Sequence, residues 1–239
     1  MKLKTFYSNE KAGDNFIIAG GEMLHLFKVY RLKVGDRVNI LSDDEFIYEC
    51  EITSITSDVT AKIIEKKQNG ANIKTSLTVF QCNLKADKME YLAQKLTELG
   101  AKSFVPVLSK NVVKTELKKE RLERIARESE KQSGRSVGLE IHDVISFNEM
   151  LSMFKNFDKV FVAHEKEKNV SILSAMRDIT GQNCAILIGP EGGLTDEEIA
   201  SCEKFGASVF GLGERILRAE TACVCLSGIA LAQMGEFNL

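Results

Sequence analysis

One stretch limits what this chain can fold into more than any other: Ile186-Leu187-Ile188-Gly189-Pro190-Glu191-Gly192-Gly193-Leu194-Thr195-Asp196-Glu197-Glu198. Its apolar start reads as a buried strand, Gly189-Pro190 breaks it, and Gly192-Gly193 turns the backbone. Thr195 followed three residues later by Glu198 is a capping box, so a helix begins there. Strand, glycine turn and helix N-terminus in that order place backbone N–H groups where a ligand can approach. The turn is neither GxGxxG nor GxxxxGKS/T, so neither a dinucleotide nor a nucleoside triphosphate is its obvious tenant. Taken alone, it fits a small-molecule site and a merely structural αβ turn equally well.

The chain has 239 residues, room for one large domain or two small ones. Its hydrophobic share of 44% is that of an ordinary globular protein. No apolar run approaches bilayer length, and Met1 to Thr5 leads into no signal-like core, so a cytoplasmic protein without membrane attachment is expected. Cys50, Cys82, Cys184, Cys202, Cys223 and Cys225 form no CxxC pair and have no histidine at ligand spacing. They read as reduced core residues, and no metal is expected. The net charge of −2 announces no nucleic-acid partner, but Lys110 to Arg135 carries nine basic residues against five acidic ones, a local surplus.

Residues 1–70 read as a small β-barrel domain. Val34 to Leu41, Phe46 to Ile52 and Val59 to Ile64 alternate or run apolar between turns, as short strands do. His25 to Leu32 reads as a helix. Lys66 to Asn72, polar and aperiodic, is the linker candidate. Residues 73–239 then alternate strands and helices, the pattern of an α/β domain with a mainly parallel sheet. Strands are expected at 76–82, 103–108, 159–163, 184–188 and 207–212, and helices at 88–99, up to about Ser133, and from Glu220 to about Met234. The last helix is apolar almost all round, which requires burial on several sides. Either core packing or a shared dimer interface satisfies that requirement.

A second glycine segment, Leu212-Gly213-Glu214-Arg215-Ile216-Leu217-Arg218-Ala219-Glu220-Thr221-Ala222, follows the last expected strand. Ligands of open α/β sheets gather at the carboxyl ends of strands, so the two glycine turns can face one crevice. The plainer alternative is that Arg218 and Glu220 pair with each other near a helix start. Together the two segments closely resemble the SPOUT methyltransferases, and within them the ribosomal RNA small subunit methyltransferase E family. His25 to Asp36, Gln94 to Gly100 and Gln132-Ser133-Gly134-Arg135 resemble further signatures of that family. Two departures stand out: Lys2, Lys4 and Thr5 where arginine is usual, and Ser136-Val137-Gly138-Leu139 without a proline.

The resemblance implies a PUA-like RNA-binding barrel, and a methyltransferase domain holding S-adenosyl-L-methionine in a trefoil knot. It further implies a homodimer acting on N3 of a uridine in 16S rRNA, within the 30S subunit. Ile188, Gly189, Glu191, Gly192, Gly193, Leu212, Gly213, Ile216, Leu217, Arg218, Thr221 and Ala222 would then hold the cofactor. Glu191 and Glu220 are candidates to accept the N3 proton, and Arg218 to stabilise the uridine anion. His164, at a strand end, is a further candidate base beside a plainer role as a loop polar group. Arg124, Lys131 and Arg135, spaced by seven and four, would share a helical face toward phosphates, with Arg31, Lys33 and Arg37 as secondary contacts. Another RNA target, or RNA binding without catalysis, stays open at this point.

Overall fold

The computed structural model describes residues 3–112 and 117–237. Lys114 and Glu116, counted in the basic stretch, and Lys2 lie outside the described residues. The chain divides into two compact units, residues 1–72 with 130–138, and residues 73–129 with 139–239.

In the first unit, β1 (Lys4–Tyr7), β2 (Lys11–Ala12) and β3 (Asn15–Ile18) precede a short helix α1 (Gly21–His25). A π-helical turn over Leu26–Tyr30 extends α1, and Arg31 ends it in the left-handed region at φ 49°. The helix thus begins earlier than the expected His25 and stops two residues short of Leu32. After it come β4 (Arg37–Leu41), β5 (Phe46–Ile55) and β6 (Val59–Gln68). The sheet order is β1-β4-β5-β6-β3-β2, with β1 parallel to β4 and all other pairs antiparallel. Alternate residues point inward, as the pleat dictates. Phe6, Phe16, Ile18, Val38, Ile40, Cys50, Ile52 and Ala61 form one apolar cluster with Leu26.

The segment 66–72 is not a free linker. β6 runs through Gln68, and Asn69 is buried. The Asn69 amide donates to the Gly134 carbonyl at 2.8 Å and to the Ser136 hydroxyl at 3.0 Å, while the Asn72 side-chain oxygen accepts from the backbone N–H groups of Ser136 and Val137. Two asparagines therefore capture the returning strand of chain at 134–137. Composition alone cannot separate a polar linker from a polar clasp.

The second unit alternates β7 (Ser76–Cys82), α2 (Ala86–Leu99), β8 (Ser103–Leu108), α3 (Lys119–Ser133, its residues from Glu130 on counted with the first unit), β9 (Glu140–Ile141), β10 (Ile145–Ser146), α4 (Phe147–Met153) and β11 (Lys159–Ala163). It continues with α5 (Ile172–Ala175), β12 (Asn183–Ile188), α6 (Asp196–Lys204), β13 (Ser208–Phe210) and α7 (Ala219–Met234). The order is β10-β8-β7-β12-β11-β13, parallel throughout, with β9 also parallel to β8. A parallel sheet must be covered on both faces, and the side chains sort accordingly. Leu77, Val79, Phe104, Phe161, Ile186 and Phe210 share one cluster with α2 and α7. Phe80, Val105, Val107, Val162, Ala185 and Leu187 share the other with α4 and α6. In α7, Ala222, Cys223, Leu226, Ser227, Ala230, Leu231 and Met234 are buried, whereas Thr221, Cys225, Ala232 and Gln233 are exposed. α4 carries a full capping box, Ser146 with Glu149, that pattern reading passed over.

Candidate active site

Three neighbouring strands, β11, β12 and β13, end on the same side of the sheet, and their loops surround a cavity of about 570 Å³. That is the size range of small-molecule and cofactor sites. The first wall is the turn after β12. The Gly193 N–H donates to the Pro190 carbonyl at 2.9 Å and closes the turn, with Gly193 in the left-handed region at φ +70°. Behind it, the α6 capping box is complete: the Glu198 N–H donates to the Thr195 hydroxyl, and the Thr195 N–H to the Glu198 carboxylate at 2.9 Å.

Two amides hold this turn from outside. The Gln81 side chain, at the end of β7, donates to the Gly189 carbonyl at 3.1 Å. Asn111 donates to the carbonyls of Gly192 at 3.2 Å and Gly193 at 3.1 Å. A Cβ on Gly192 would stand 3.1 Å from the Asn111 Cβ, so any larger residue there must push Asn111 aside by a few tenths of an ångström. The second wall is the segment after β13. Gly211 bridges in parallel to Ser171, and its N–H donates to the Val170 carbonyl at 2.9 Å. Leu212, Gly213, Ile216, Leu217 and Arg218 follow along the cavity, and Arg218 is the N-cap of α7. The third wall, Ala163 to Glu165 with Lys168, follows β11. His164 there is buried, and its backbone N–H donates to the Phe210 carbonyl at 3.0 Å.

Of the expected cofactor residues, Ile188, Gly189, Glu191, Gly192, Gly193, Leu212, Gly213, Ile216, Leu217, Arg218 and Ala222 all line this cavity. Thr221 does not. It is exposed on α7, one position round the helix from the buried Ala222. Glu220 does not pair with Arg218; its partner is Lys88, at 3.3 Å. The same Lys88 ammonium lies 3.0 Å from Glu191. Partial burial pushes the Glu191 carboxyl up, but its own backbone N–H, Lys88 and Lys85 outweigh that, and the net shift is down. Lys88 is raised, chiefly by its bond to Glu191. Lys88, Gln81 and Asn111 escaped sequence reading because each acts on residues about a hundred positions away.

This cavity fits a methyl-donor nucleoside on its own terms. The glycines bring bare backbone to its edge, Ile188, Leu194 and Leu217 supply apolar wall, and Glu191 supplies negative charge beside it. The chain matches the RNA methyltransferase domain family over residues 71–231, and the RNA methyltransferase PUA domain family over residues 11–64. It is 36% identical to the ribosomal RNA small subunit methyltransferase E of Bacillus subtilis, over 87% of this chain and 86% of that one. This chain belongs to the ribosomal RNA small subunit methyltransferase E family.

Solved structures agree in fold. A probable rRNA-methyltransferase from Porphyromonas gingivalis superposes with a TM-score of 0.83 at 26% identity, covering 97% of this chain and 98% of that one. The family member from Neisseria gonorrhoeae, solved bound to S-adenosyl methionine, gives 0.85 at 20% identity and covers 99% and 100%. The α/β domain with its parallel sheet and the separate PUA-like β domain are therefore the architecture of this family.

The basic residues divide differently from expectation. Arg31, Lys33, Arg37 and Arg124 are exposed, and Arg37 pairs with Glu49 at 2.7 Å. Lys131 is held by Glu22. Arg135 is 2% exposed and its Nε donates to the Val137 carbonyl at 3.2 Å. The shared helical face fails for a backbone reason: α3 ends at Ser133, and Gly134 at φ +86° turns the chain before Arg135. Arg135 is therefore buried where the expected phosphate contact needs an exposed guanidinium. Among the described residues there is no His/Cys/Asp/Glu cluster able to hold a metal, and no helix long and apolar enough to cross a membrane.

Proposed function

We propose that this chain transfers a methyl group from S-adenosyl-L-methionine to N3 of a uridine in 16S rRNA of the small ribosomal subunit. The observation that carries the reading is the cavity at the carboxyl ends of β11, β12 and β13. It joins two glycine-rich walls, a carboxylate and an arginine in one place. When bound there, the cofactor supplies an electrophilic methyl on a sulfonium. The protein's task is to hold donor and acceptor in line, which accounts for walls built of fixed backbone.

The residues divide as follows. Ile188, Gly189, Gly192, Gly193, Leu212, Gly213, Ile216, Leu217 and Ala222 cradle the cofactor, with the tight Gly211 passage read as part of the expected trefoil knot. Glu191, or Glu220 beside it, accepts the N3 proton, and Arg218 faces the charge that develops on the uracil ring. Arg31, Lys33 and Arg124, which are exposed, contact phosphate. The small β unit, with the clasped segment 130–138, is the RNA-binding domain, and residues from 73 onward the catalytic one. Self-association through the exposed side of α7 into a homodimer, a 30S substrate and a cytoplasmic location complete the proposal.

The test is transfer of labelled methyl from S-adenosyl-L-methionine to 30S subunits and to naked 16S rRNA, both from cells lacking the endogenous activity. Digestion to nucleosides should yield 3-methyluridine. Another methylated nucleoside would move the enzyme to a different target. Cofactor binding without any transfer would remove rRNA as the substrate.

A further inference from the structure

The ammonium of Lys88 meets carboxylates from two different elements on the cavity wall. Glu191 comes from the turn after β12 and Glu220 from the first turn of α7, at 3.0 and 3.3 Å. The three side chains are 22, 33 and 16% exposed, so the cluster is sheltered without being cut off from solvent. Exposed ion pairs add little to stability. A lysine that reaches from α2 to both catalytic walls therefore matters for what it fixes in place.

We infer that Lys88 is a positioning residue for methyl transfer: it joins the Glu191 turn to the start of α7 and presents Glu191 as a carboxylate. This rests on the proposed reading that a carboxylate takes the uridine N3 proton. In that step the N3 proton passes to a Glu191 oxygen as N3 bonds to the methyl carbon, and the carbon–sulfur bond breaks with its electron pair returning to sulfur. A protonated Glu191 cannot serve, and two carboxylates crowded together without a cation tend to keep one proton between them. One ammonium between two carboxylates leaves a single net negative charge, which suits a cationic cofactor. Lys85, at the N-cap of α2, also acts on Glu191, and Arg218 stands at the α7 N-cap two residues before Glu220. The same cavity is lined by His164, Glu165, Lys168, Glu214 and Arg215.

Lys88→Met and Lys88→Arg test this in two readouts. In cofactor-free protein, 13C NMR titration of the Glu191 carboxyl should move up by about one pH unit in Lys88→Met and return toward wild type in Lys88→Arg. In turnover, the kcat deficit of Lys88→Met should be about twofold larger near pH 5, where the raised titration leaves part of Glu191 protonated, than near pH 8, with Lys88→Arg largely restored. Cofactor affinity should stay within about threefold, because the net charge left on the wall still favours a cation. A deficit equal at all pH values, an unmoved Glu191 titration, or an arginine variant no better than methionine would overturn the inference. If wild-type protein makes no 3-methyluridine, the proposed function fails, yet the NMR titration still reports on Lys88 by itself.

Discussion

Gly211 is the position where a single methyl group should do the most damage. A Cβ there would stand 3.1 Å from the Glu167 carbonyl carbon and overlap the carbonyl oxygen, with the His164 carbonyl oxygen 4.0 Å away. The obstacle is backbone, which has no rotamer to change. Overpacking of this kind costs about 1–3 kcal/mol. Displacement would also strain the hydrogen bond from the Gly211 N–H to Val170, at roughly 1 kcal/mol. A total of about 3 kcal/mol should lower the melting temperature by roughly 6–12 °C in a chain of this size. The segment that shifts leads straight into Leu212 to Arg218, so S-adenosyl-L-methionine binding should weaken at least about tenfold. Circular-dichroism melts and titration calorimetry on Gly211→Ala would measure both. Gly70→Ala, where a Cβ meets nothing within 4 Å, serves as the comparison. If Gly211→Ala melts within about 2 °C of wild type and binds cofactor normally, the argument for a closed backbone passage is wrong.

Other expectations concern charge and thiols. The Asp44 carboxyl is pushed up by burial but pulled further down by the Tyr48 hydroxyl, the Phe46 N–H and Lys11. Its folded value lies below the ordinary 3.8, so its contribution is complete above that pH and fades as pH falls through the lower folded value. Asp44→Asn should therefore cost about 1 kcal/mol in urea melts near pH 7 and much less near pH 3, and equal deficits at both would refute this. Burial pushes the thiols of Cys50, Cys82, Cys202 and Cys223 up to about 12 and Cys184 up to about 11, while Cys225 is exposed. At a dilution that separates the proposed dimer, a thiol reagent near neutral pH should find one fast cysteine, Cys225, and six after denaturation, and a second fast thiol would contradict the buried set. Arg124→Ala should weaken RNA binding and reduce its salt slope by about one without changing the melt. Arg135→Ala should instead destabilise the protein by about 1–3 kcal/mol, and a purely RNA-binding defect there would show that Arg135 is displayed after all.

The sequence determined the sorting of residues between sheet faces. Wherever β-strand side chains alternate, as in Leu77 and Val79 against Phe80 and Cys82, the pleat leaves one assignment, and the same periodicity placed α2, α3 and α7 within a few residues of their ends. It also determined the α6 capping box and the glycine turn, because both are made by neighbours in the chain. Tertiary structure decided the rest. That Glu220 meets Lys88 and that Asn69 and Asn72 seize Ser136 are facts about residues 64 to 132 positions apart. Local pattern carries no information about such pairs, since a polar side chain looks the same in sequence whether it faces water or a partner brought to it by the fold.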